Sequence, residues 1–150
     1  MGICKFTFIL LLFPQVLLAE DIAFEIDIPV ASFSSPLLIT IWSEQKMNTR
    51  DRNSNCIMSY DVASKKESIN CPQGAQFEAV LPEKFSFPSQ EKLSFTSKEL
   101  KVGEKFEIIV SGRSSDKCNT TSAILQDVIK SSKVVIKKLQ WASTELACVN

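Results

Sequence analysis

Histidine is absent from the 150 residues, and this absence excludes more chemistry than any other feature of the sequence. Without it there is no Ser-His-Asp or Cys-His nucleophile pair. Nor can zinc be held by imidazole, the usual ligand of open catalytic zinc sites. The side chain that most often moves protons near neutral pH is missing as well. No Cys-x-x-Cys spacing occurs, so neither a redox-active pair nor a cysteine-ligated metal is expected. Only four glycines are present, and none forms a phosphate-cradling loop. Charge of one sign is not in excess: Lys plus Arg and Asp plus Glu each number 17. A nucleic-acid partner, which would demand a basic face, is therefore not expected. The pairs Lys65-Lys66 and Lys137-Lys138 read as solvated surface.

Long apolar runs are also scarce, and the one at the start has a specific reading. Lys5 precedes Phe6-Thr7-Phe8-Ile9-Leu10-Leu11-Leu12-Phe13, Pro14-Gln15 breaks the run, and Val16-Leu17-Leu18-Ala19 ends on a small residue before Glu20-Asp21. That order of a basic start, an apolar stretch and a small residue predicts a secretory signal peptide over 1–19, and hence a secreted or periplasmic product. The run is shorter than the roughly 20 apolar residues a membrane helix needs, and no second run of that length follows. Met1-Gly2 does not make a myristoylation signal, because Phe6 stands where Ser or Thr is required. Cys4 precedes the apolar run and is expected to leave with the leader. What remains, 20–150, is the length of one domain and large enough to bury a substantial core.

Four cysteines then remain: Cys56, Cys71, Cys118 and Cys148. An even number in an exported chain predicts two disulfides, with three possible connectivities. Cys56–Cys71 with Cys118–Cys148 is the favoured set, because Cys56 and Cys71 flank a hairpin. Ser54 to Val62 has strand character, 63–68 is a polar turn, and Ile69-Asn70-Cys71 returns. Loops of these sizes would each contribute about 3 to 4 kcal/mol in the chain-entropy model.

Apolar residues recur mostly with period two, which predicts strands. Ile22, Phe24, Ile26 and Ile28 alternate with polar positions until Pro29. Leu37 to Trp42 is an unbroken apolar run, expected as a central strand. Glu44 to Asn55 is polar and expected as a loop. Further strands are expected at 76–81, 85–87, 93–96, 106–110 (ended by Gly112) and 134–139, with a turn at 98–103. The stretch 120–130 fits a helix and a strand equally. The expected fold class is all-β, an antiparallel β-sandwich or barrel. The alternative is an α+β fold with one helix near 120–130.

Two short motifs carry some chemistry. Asp51-Arg52-Asn53-Ser54-Asn55 imitates the start of a calcium loop, but Cys56 replaces the required glycine and Val62 the final glutamate. It reads as a polar loop. Asn119-Thr120-Thr121 is an N-glycosylation sequon, with a plain turn after Cys118 as the simpler reading. Trp42 and Trp141 are expected to pack rather than to bind.

Ser111-Gly112, Cys118-Asn119, a strand pair around Val134-Val135-Ile136, and Ser143-Thr144-Glu145-Leu146-Ala147-Cys148 together resemble the META domain of bacterial envelope proteins, the HslJ-like family. The resemblance covers about 40 residues; Lys117 and Leu146 depart from its pattern. It implies a non-enzymatic envelope protein linked to stress tolerance, and it carries over no catalytic residue. The expected function is thus an exported, non-catalytic binding or envelope-maintenance protein with no cofactor or metal. Its partner would be an unidentified protein or small ligand. Two alternatives are a secreted inhibitor or effector acting through Glu44 to Asn55, and a hydrolase built on two carboxylates, for which no Asp or Glu pair stands out.

Overall fold

A computed structural model describes residues 20–47, 56–71, 79–115 and 119–145. The leader, residues 48–55 with the calcium-like motif, the start of the strand expected at 76–81, and Cys118 and Cys148 lie outside them.

Two sheets stack face to face, and neither closes into a barrel. The smaller has the order β5-β6-β1-β9, built from β1 (Ile22–Asp27), β5 (Phe85–Ser89), β6 (Lys92–Ser97) and β9 (Lys133–Ile136). The larger has the order β10-β8-β7-β2-β3-β4. Its strands are β2 (Leu37–Ser43), β3 (Ile57–Asp61), β4 (Lys66–Asn70), β7 (Lys105–Arg113), β8 (Asn119–Val128) and β10 (Trp141–Glu145). All pairings are antiparallel except β1 with β9.

The alternation in sequence becomes the layering. In β1, Ile22, Phe24 and Ile26 are buried while Ala23, Glu25 and Asp27 are half-exposed. Opposite them the larger sheet contributes Leu37, Ile39, Ile41, Met58, Tyr60, Phe106, Ile108 and Val110. Each such aliphatic or aromatic side chain removed from water stabilises the fold by roughly 1.5–3 kcal/mol. Phe24 bridges the layers, stacking on Phe95 at 4.7 Å and meeting Phe106 edge-on at 5.4 Å. At the sandwich flank Phe87 of β5 packs on Tyr60 of β3 at 4.3 Å.

The structure adjusts several expectations. The stretch 120–130 is strand through Val128: its apolar residues divide between the two faces, with Ala123 buried and Ile124 exposed. The strand at 106–110 does not stop at Gly112 but runs to Arg113. Gly112 is there for space, since a Cβ would lie 2.7 Å from Cδ1 of the buried Phe33. The hairpin turn is tighter than 63–68, because β4 already begins at Lys66. Asp61 accepts hydrogen bonds from the amides of Ala63 and Ser64, and Lys65 takes a positive φ. Glu44–Met47 forms one helical turn, α1, rather than loop. Ala79 to Leu81 lies outside any strand, although Val80 is buried and donates to the Ile41 carbonyl. The strand at 134–139 ends at Ile136, and β10 follows after a short crossover.

Candidate functional site

An open groove of about 880 Å³ lies beside the smaller sheet. Strand parity builds one side of it. Ala23, Glu25, Ser94 and Thr96 alternate with the core residues Phe24 and Phe95, so they face away from the core. Leu81, Pro82 and Phe85 add apolar wall, and Asp21, Glu83, Lys84, Lys98 and Glu99 add charge.

Four carboxylates thus surround the groove, and lysines engage three of them. Glu25 is gripped by Lys133 at 3.0 Å, with Lys92 at 3.9 Å on its other oxygen. Lys133 is the main reason the Glu25 carboxyl titrates below the usual carboxylate range. Glu83 pairs with Lys98 at 3.1 Å and holds that ammonium above the usual lysine value. Glu99 pairs with Lys46 of α1 at 3.0 Å. At the hairpin turn the Ser64 and Ala63 amides likewise hold the Asp61 carboxyl below its usual range. A general acid needs the opposite, a carboxyl raised by burial or by a like charge. This arrangement suits recognition: an apolar wall for contact area and fixed charges of both signs for orientation.

A second open groove of about 580 Å³ lies between the end of β1, the β5–β6 turn and the crossover into β10, with Lys92, Lys137, Lys138 and Trp141 in its lining. Trp141 is half-buried and rests on Phe33 at 5.3 Å, so packing accounts for one face of its ring. Trp42 is fully buried and its indole N–H has no hydrogen-bond partner among the described residues. Directly opposite Trp42 in the β2–β7 register is Glu107, also buried, whose carboxylate accepts a 2.6 Å hydrogen bond from the Gln126 amide.

Among the cysteines, Cys56 and Cys71 lie at disulfide distance, with Cα atoms 4.1 Å apart. The register explains this. Ile57 opposes Asn70, so the residues just beyond them oppose each other as well. Cys118 and Cys148 fall outside the described residues, as does most of the Glu44 to Asn55 segment. Among the described residues no cluster of three metal-ligating side chains occurs, and no helix is long and apolar enough to cross a membrane.

Sequence reasoning did not single out the groove. Its residues come from segments up to 78 positions apart, Asp21 to Glu99, and the only advance signal was polar alternation in 22–28 and 93–96. No protein-family model matches the chain, and no curated protein or solved structure matches it significantly.

Proposed function

We propose that this chain is an exported binding protein that uses the groove beside β1 and β6 to hold a protein segment or small ligand, without catalysis. One observation carries the reading: the groove pairs an apolar wall with carboxylates, three of which are engaged by lysines. Such a site offers contact and orientation, the two ingredients of recognition. Export is supported by the 1–19 pattern and by the closely placed Cys56 and Cys71, since disulfides persist in oxidising compartments.

A fragment screen read by amide correlation spectra tests this proposal. Hits are expected to shift the amides of Ala23, Ser94 and Thr96, and to lose affinity in Phe85→Ala. Hits that cluster elsewhere and ignore Phe85→Ala would contradict it. Turnover of a glycoside panel that Glu25→Gln abolishes would favour the two-carboxylate hydrolase instead.

A further inference from the structure

We infer that Asn119 is an N-glycosylation site, and that its glycan stands over the corner of the six-stranded sheet that the four-stranded sheet leaves uncovered. The inference rests on the export reading. It also parts from the bacterial setting implied by the META-like segment.

The sequon Asn119-Thr120-Thr121 opens β8. Asn119 is half-exposed. Its backbone is fixed, the carbonyl accepting from the Ser114 amide at 3.0 Å, while its carboxamide has no hydrogen-bond partner among the described residues. Anchored backbone with a free side chain is what a folded protein must offer if it is to carry a glycan at no cost in buried contacts.

The surroundings show what the glycan would cover. Asn119, Thr121 and Ala123 share the face of β8 that turns toward the core. Ala123 is buried, but Thr121 and Asn119 are half-exposed. Across the ladder, Ser143 of β10 opposes Thr121, bonds to its hydroxyl at 3.2 Å, and is exposed. The core-facing side of this corner is therefore polar and open to water. The same corner ends in β10, the outermost strand of its sheet. An open strand edge is a template for pairing with another chain. A bulky hydrated glycan two positions from the Thr121–Ser143 contact would block that approach.

The modification itself is a group transfer. The Asn119 amide nitrogen bonds to the anomeric carbon of a lipid-pyrophosphate-linked oligosaccharide. The bond from that carbon to the pyrophosphate oxygen breaks, its electron pair leaves with the lipid pyrophosphate, and the amide proton passes to a base of the transferase.

Cell-free translation of the full chain with endoplasmic-reticulum microsomes tests this step. The expected product is protease-protected and carries the mobility shift of one glycan, removable by peptide N-glycosidase. The shift should vanish in Asn119→Gln and Thr121→Ala and return in Thr121→Ser. A protected chain without the shift would overturn the site while leaving export intact. An unprotected chain that keeps its leader would overturn both. Because the acceptor is modified during translocation, a variant that folds poorly still reports on it. For the covering role, the secreted protein is compared by size-exclusion chromatography before and after glycan removal. Concentration-dependent association is expected only after removal, and identical profiles would overturn that role.

Discussion

Gly112→Ala isolates a contact that the sequence alone misreads. Gly112 lies within β7 with an ordinary φ, so the backbone accepts alanine without strain. Replacing a strand glycine would on that ground stabilise the fold by about 0.5–1 kcal/mol. Space argues the other way. The added methyl would lie 2.7 Å from Phe33 Cδ1, 3.2 Å from its Cε1 and 3.1 Å from Leu37 Cδ2. Phe33 cannot easily swing aside, because it is buried, held against Trp141, and bridged through its backbone to Ser114. Overpacking of this kind costs about 1–3 kcal/mol, so the clash outweighs the entropy gain and the net loss is about 1–2 kcal/mol. For a domain of this size that lowers the thermal midpoint by roughly 3–8 °C. Calorimetry of the wild type, Gly112→Ala, Phe33→Leu and the double variant reads both the loss and its cause. The double variant should be at least ~0.5 kcal/mol more stable than the two single losses predict, since they share one contact. A midpoint for Gly112→Ala equal to or above the wild type would refute the reasoning.

Other outcomes follow from the same contacts. Cys56→Ser with Cys71→Ser opens a loop of 15 residues and should cost about 3 kcal/mol in denaturant titration; the wild type under reducing conditions should lose more than that variant, because reduction also opens the expected Cys118–Cys148 bridge. Glu107→Ala leaves the Gln126 amide without its buried acceptor and should destabilise by about 2–3 kcal/mol, whereas Glu107→Gln should cost less. The Glu25 and Asp61 carboxyls titrate below their usual range when folded. Their contribution is thus present above the ordinary carboxylate value near pH 4 and is lost as pH falls through the lower folded values. Glu25→Gln should flatten that acid limb of the stability curve, and a curve unchanged by the substitution would count against Lys133 as the cause.

What could be read in the sequence was whatever one strand decides by itself. Ile22, Phe24 and Ile26 announce a half-buried strand because polar residues separate them, and the structure buries those three and leaves the residues between them half-exposed. The Leu37 to Trp42 run is interior to its sheet, as its lack of alternation implied. The all-β sandwich and the Cys56–Cys71 approach followed from such local patterns. What could not be read depends on a neighbour. Whether 120–130 is helix or strand was settled by nine residue pairings with β7. Gly112 looked like a strand end because its reason, Phe33, lies in another segment. β10 went unassigned as a strand, since Trp141 to Glu145 has a single strongly apolar residue and holds its place by pairing with β8. The groove was invisible for the same reason: Glu25 finds Lys133 only once β9 is laid parallel to β1.

The proposal that the chain is exported and works as an oxidised, disulfide-bearing binding domain can be tested at its root. Its most direct test is the intact mass of the protein recovered from exporting cells, after glycan removal, before and after reduction. A chain beginning near Glu20 that gains about 4 Da on reduction, two hydrogens for each of two disulfides, is the expected result. A chain that keeps Met1 and shows free thiols would contradict it.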